Sequence, residues 1–270
     1  MAERVIPSVK RKQLLELAAR GKRIDGRGLL DMRPVQIETG VIEKAEGSAV
    51  VRLGSTMVMV GVKYEIGKPF EDTPNEGVLS VNAEFVPLAS PTFEPGPPDE
   101  NAIELARVVD RGLRESKCLD LEKMCLIPGE KVWIAWIDIY VLDHDGNLID
   151  ASALAAISAL LASKIPEAKV ENGEIVLTGN YVVPPIRDRP VAVTIGKLGD
   201  QLIVDPCFEE EEVLDCRLTA SFTEGGLLCA MQKGLPGAFT ADEVIKAIEI
   251  AKVKSEELRK LLPPLVTQHG

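Results

Sequence analysis

Apolar and polar residues alternate along this chain with periods of about 3.6 and about 2, and the change from one to the other marks its elements. Residues 8–20 set Leu14, Leu15, Leu17 and Ala18 on one side, with Ser8 as N-cap and Gly21 as stop. That pattern predicts a leading amphipathic helix. From Val35 to Ile66, and again from Gly77 to Ala89, β-branched runs punctuated by glycine predict a meander of antiparallel strands, with Gly54-Ser55 as a hairpin turn. After the proline-rich connector "SPTFEPGPPDE", Asp99 is placed to cap a helix running to about Ser116, whose apolar face is Ala102, Leu105, Val109 and Leu113. "KVWIAWIDIYVL" then reads as a long strand. "DASALAAISALLASK" reads as a small-residue helix lying close against a sheet.

The second half repeats this order in reduced form. Residues 166–190 read as a proline-containing link ending in "VVPPIRDRP". They lead to four strands, "VAVTIGKL", "QLIVDP", "RLTASF" and "LLCAMQ". Thr240 and Glu243 form a capping-box pattern for a last helix reaching about Leu262, before Pro263 and Pro264. The expected organisation is an N-terminal helix (1–22), a first domain (23–166), a linker (167–190), a second domain (191–262) and a tail (263–270). The expected class is α+β, with helices packed on mostly antiparallel sheets.

Composition narrows the functions open to such a fold. The 270 residues carry 31 Lys and Arg against 42 Asp and Glu, a net charge of -11. A chain this acidic does not coat nucleic acid over its whole surface, so any such contact must be local. No run approaches the roughly 20 apolar residues of a membrane helix, and the N-terminus is charged with no signal-peptide core, which predicts a cytoplasmic protein without membrane contact. Five cysteines without a C-x-x-C pair suggest neither a disulfide framework nor a zinc ribbon. There is no P-loop, and "GRGLLD" lacks the third glycine of a dinucleotide fingerprint, so no cofactor is expected. Of the two histidines, His269 lies in the tail and His144 in the turn "LDHDGNL", where a solvated side chain without a catalytic role is expected. Glu209 to Glu212, flanked by Asp205 and Asp215, could hold Mg²⁺, but a hydrated acidic loop of mutually repelling charges is the simpler reading, and no metal site is expected.

One motif keeps two readings. In "ELARVVDRGLRES", residues 104–116, Arg107, Arg111 and Arg114 fall in one narrow sector at about 100° per residue, opposite Leu105 and Val109. They form either a solvated face paired locally with Glu104, Asp110 and Glu115, at about 0.3–0.5 kcal/mol a pair, or a surface for an anionic partner. Spacing alone favours the solvated face.

Four stretches change that balance. "RIDGRGLLDMRP", "EGSAVVRLGSTMVMVGVK", "VPLASPTFEPGPPDENAIELARVVDRGLRES" and "VLDHDGNLIDASALAAISAL" resemble the RNase PH family, and more narrowly its non-catalytic subunit type in the archaeal exosome. The resemblance spans about residues 5–262. It implies the RNase PH-like (ribosomal protein S5 domain 2-like) fold, with two ββαβα-type subdomains. It also implies a six-membered ring in which such chains alternate with catalytic RNase PH-like subunits, under cap subunits with S1 and KH or zinc-ribbon domains, threaded by single-stranded RNA. Catalytic relatives use phosphate to cleave RNA from its 3′ end and carry a Gly-Thr/Ser-Arg element before the small-residue helix. Here Gly146, Asn147 and Leu148 stand there, and leucine cannot donate to phosphate. The acidic loop "VDPCFEEEEVLDCRLTA" is also denser in carboxylates than that of active relatives, which opposes phosphate. The resemblance therefore implies no catalytic residue in this chain and assigns RNA-backbone contacts to Arg107 and Arg111, with Arg114 placed for RNA or for a subunit interface. The alternative is a chain that is itself an active phosphorolytic 3′-to-5′ exoribonuclease. An unrelated α+β metabolic enzyme is disfavoured by the missing cofactor motif.

Overall fold

The computed structural model describes residues 8–171 and 173–265. Helix α1 (Ser8–Ala19) stops where Gly21 takes φ +71°. There the Gly21 and Lys22 amides donate back to the Ala18 and Leu17 carbonyls at 2.9 and 3.1 Å, a Schellman closure. Leu14 and Ala18 bury against Leu198 and Val213, so α1 packs on the second half of the chain. The capping contact read for Ser8 falls outside the described side chains, and His269 outside the described residues.

Strands β1 (Val35–Thr39), β2 (Gly47–Leu53) and β3 (Thr56–Gly67) form the expected antiparallel run, with Leu53 paired to Thr56 across a turn in which Gly54 has φ +59°. The fourth strand corrects the meander. β4 (Val78–Phe85) is followed by α2 (Glu100–Glu115), a short β5 (Cys125–Ile127) and β6 (Lys131–Asp143). β6 inserts between β3 and β4, antiparallel to β3 and parallel to β4. Parallel neighbours cannot be joined by a hairpin, and α2 is the crossover that returns the chain.

Helix α3 (Leu148–Leu161) is buried on nearly every side, as a helix held between two layers must be. Its alanines allow close approach: a side chain at Gly47 would place Cβ 2.4 Å from the Ala159 carbonyl oxygen. One core cluster joins Leu154, Ile157 and Leu160 of α3 to Ile137 and Ile139 of the first sheet and to Ile195 and Phe222 of the second half.

The segment read as a proline-containing link holds a hairpin, β7 (Ile165–Glu171) with β8 (Glu174–Val182). A two-stranded sheet is all edge, so Pro166 is tolerated in it. β9 (Val191–Leu198), β10 (Gln201–Val204), β11 (Cys216–Phe222) and β12 (Leu228–Gly234) form the four expected strands in the order β10-β9-β11-β12, all antiparallel. A one-turn helix, α4 (Phe208–Glu211), occupies the acidic loop. Helix α5 (Ala241–Arg259) begins with the expected capping box, Thr240 Oγ1 accepting from the Glu243 amide at 3.2 Å and Glu243 Oε2 from the Thr240 amide at 2.7 Å. It ends three residues short of Leu262. Among the described residues no helix is long and apolar enough to cross a membrane.

Candidate functional site

Two places in this frame gather chemistry, and both lie where the two halves meet. The first is the outer face of α2. Asp99 starts the helix, its Oδ1 accepting from the Ala102 amide at 2.8 Å, and Leu105, Val109 and Leu113 hold the inner face in the core. The outer face borders an open groove of about 320 Å³ toward β12, lined by Glu100, Ile103, Glu104, Arg107, Arg111 and Gln232.

Two acidic neighbours that could neutralise the arginines, Asp110 and Glu104, are engaged elsewhere. Asp110 accepts from Arg114 at 2.6 and 3.1 Å, and Glu104 pairs with Arg217 of β11 at 3.0 Å. Among the described residues, the side chains of Arg107 and Arg111 make neither an ion pair nor a hydrogen bond. They stand one turn apart, a like-charge pair that costs a helix about 0.2–0.5 kcal/mol. Arg114 separates from them: its Nη2 donates to the Leu79 carbonyl of β4 at 2.8 Å as well as to Asp110. The structure thus brings two of the three arginines to the groove and ties the third to the sheet.

The second place is the N-terminus of α3. Gly146 and Asn147 precede it with φ +84° and +52°. A Cβ at position 146 would stand 2.5 Å from the Cys207 carbonyl carbon and the Phe208 nitrogen, so glycine is what lets this turn meet α4. Leu148 packs against the core. The Asn147 amide donates to Glu211 Oε1 at 2.8 Å, so a carboxylate of the chain's own already occupies the positive end of the helix.

The carboxylates expected to form a hydrated, self-repelling loop are in fact paired. Asp205 is fully buried. It accepts from the Arg33 amide, Nε and Nη2 at 2.8, 2.9 and 2.7 Å, from Arg27 Nη1 at 2.9 Å, and from Asn147 Nδ2 at 2.8 Å. Glu210, also buried, is held by both Arg23 Nε, at 2.8 Å, and Arg23 Nη2. Lys10 of α1 reaches Glu212 at 3.1 Å and Glu209 at 3.6 Å, and Arg11 reaches Asp215 at 2.7 Å. Arginines 23, 27 and 33 all lie in the family-like stretch "RIDGRGLLDMRP", a signal that spacing within the acidic loop could not supply.

Burial pushes the Asp205 carboxyl up, but the Arg33 guanidinium outweighs it and holds the group below the usual range. Two neighbours go the other way. Burial raises Asp150 to about 6, against hydrogen bonds from Thr194 and Asn147. It raises Glu211 to about 7, against the Asn147 amide and the charges of Arg217 and Arg33. A carboxyl whose folded pKa is raised adds stability below its unfolded pKa and loses it as pH rises to the folded value; Asp205 loses its contribution only at acid pH. Thermal stability should therefore fall between about pH 5 and pH 7, and Glu211→Gln should flatten that fall in melting curves. An unchanged slope would show that Glu211 does not titrate there.

His144 is not the solvated turn residue expected. Its ring lies 5.4 Å from that of Phe93 and 5.0 Å from that of Phe208, and its Nδ1 accepts from the Gly146 amide at 3.3 Å, which clamps the connector before α2 against α4.

Comparison with known proteins follows this division into halves. Residues 31–166 match domain 1 of the 3′ exoribonuclease (RNase PH) family and residues 188–254 match domain 2. The chain is 52% identical over 268 residues, 98% of each sequence, to the exosome complex component Rrp42 of Pyrococcus horikoshii. It is 52% identical over 257 residues, 95% of this chain and 96% of the relative, to the same component of Methanopyrus kandleri. Among solved structures it superimposes on a chain of the Archaeoglobus fulgidus exosome with RNA bound to the active site, at TM-score 0.87 and 49% identity, covering 93% of this chain and 97% of the other.

Proposed function

Since the chain belongs to the RNase PH family of 3′ exoribonuclease domains, we propose that it is the exosome core subunit that holds RNA without cleaving it. The observation that carries this reading is the pair Arg107 and Arg111, exposed on a groove and left without partners among the described residues, in a protein that pairs most of its buried and half-buried cations. Guanidiniums in that state suit RNA phosphates, which they contact without regard to sequence. Arg114 serves as a brace between α2 and β4 and contributes to the RNA path through position and charge.

The N-terminus of α3 supports the absence of catalysis. A phosphate arriving there would have to displace Glu211 from the Asn147 amide and would find the Leu148 side chain in place of a cation. The alternative, an exoribonuclease working through the acidic loop, would find Asp205 and Glu210 committed to Arg23, Arg27 and Arg33, Glu209 and Glu212 to Lys10, and Asp215 to Arg11. Chemistry then belongs to a catalytic RNase PH-like neighbour in an alternating six-membered ring, with S1 and KH or zinc-ribbon caps above it, working in the cytoplasm. The exposed Leu177 (54%) and Tyr181 (58%) of the β7–β8 hairpin and Met231 (45%) of the edge strand β12 support neighbours of this kind.

The test is to assay RNA shortening by this chain and by its catalytic partner, separately and mixed. Activity that rises well above the sum on mixing is expected; strictly additive activities would contradict the proposal.

A further inference from the structure

Arg217 on β11 stands opposite Gly234 on β12. A Cβ at position 234 would lie 2.7 Å from Arg217 Nε and 3.1 Å from its Cγ, so the side chain crosses the edge strand at the one point where no side chain obstructs it. Beyond the strand its Nη2 meets Glu104 Oε2 at 3.0 Å, with side-chain exposures of 23% and 36%. Glu104 lines the same groove as Arg107 and precedes it by three residues, the spacing at which a carboxylate and a guanidinium pair along a helix. Arg107 nonetheless has no such pair among the described residues.

We infer that Arg217 is a positioning residue: it withdraws Glu104 from Arg107 and so keeps the groove's guanidiniums available to RNA phosphates. This rests on the RNA-holding reading above. Released from Arg217, Glu104 would compete with phosphate for Arg107 and leave an unpaired negative charge in the wall of the groove. Gly234 is part of the device, because it alone lets a guanidinium from an inner strand reach the helix.

The inference is tested in the ring assembled with its catalytic partner, using a fluorescent single-stranded oligoadenylate in phosphate-free buffer, with ring mass and melting checked for each variant. Arg217→Gln should weaken binding about fivefold, in the range of one opposed phosphate contact. Glu104→Gln alone should not weaken it, and the double variant should return to within about twofold of wild type, because the competing carboxylate is gone. A double variant as weak as Arg217→Gln, or weakening by Glu104→Gln alone, would overturn the positioning role. Gly234→Ala, which pushes Arg217 aside, should repeat the loss and be rescued by Glu104→Gln, and it carries the test if Arg217→Gln rings fail to assemble. Arg107→Ala with Arg111→Ala separates the two ideas. If that variant binds weakly while Arg217→Gln binds normally, only the Arg217 role fails; if it binds normally, the RNA-holding reading itself fails.

Discussion

Replacing Arg107 and Arg111 together by alanine should weaken RNA binding by the assembled ring by about 100-fold or more. Charge-assisted hydrogen bonds contribute about 1.5–3 kcal/mol each, and among the described residues these two side chains have no intramolecular bond whose loss would offset the change. The dependence on salt is the sharper readout. Each phosphate of a single strand that the protein ceases to neutralise lowers the slope of log K against log salt by about 0.7, so the double variant should show a slope smaller by about 1.4. Lysine at both positions should keep most of that slope yet recover affinity only in part, because an ammonium retains the charge but not the bidentate geometry. Folding should be untouched, since both side chains are exposed and removing a like-charge pair one turn apart favours the helix slightly. Binding titrations of the ring across a salt series check this; wild-type affinity with an unchanged slope would return the stripe to an ordinary solvated face.

The second large effect concerns stability. Asp205→Ala should destabilise the chain by about 3–5 kcal/mol, the cost of removing one partner from a buried ion pair. Asp205 is fully buried and organises Arg33, Arg27 and Asn147, and its loss leaves Arg33 with only Asp145 at 3.3 Å and backbone carbonyls. At about 2–4 °C per kcal/mol for a chain of this size, the melting point should drop by roughly 6–20 °C. Asp205→Asn should fall between, keeping an acceptor for Arg33 while removing the charge. Denaturant unfolding checks the magnitude, and a loss below about 1 kcal/mol would mean that water replaces the carboxylate.

These two predictions sit at opposite limits of what sequence can reveal. The α2 helix, its Asp99 cap and its apolar face follow from spacing within 17 residues, and so does the Asp110–Arg114 pair. The bond from Arg114 to the Leu79 carbonyl does not, because it depends on β4 lying beneath the helix. Alternation identifies the strands of the two larger sheets except the short β5, but carries no strand order, which is why a meander is expected where the parallel β4–β6 pair forms. The β7–β8 hairpin escapes because few of its residues are buried, leaving almost no apolar alternation to read. The acidic loop misleads for a related reason. Repulsion between neighbouring carboxylates is a local rule, whereas Arg23 lies 187 residues from Glu210. Only resemblance, which marks "RIDGRGLLDMRP" without explaining it, points to those arginines.

Whether this subunit is inert on its own is decided by the release of nucleoside diphosphates from oligoadenylate and inorganic phosphate by the purified chain alone, under conditions where its mixture with the catalytic subunit is active. Release is expected from the mixture and none above buffer from the chain by itself, with Leu148 and Glu211 filling the end of α3. Phosphate-dependent release that scales with the concentration of this chain alone would contradict this expectation.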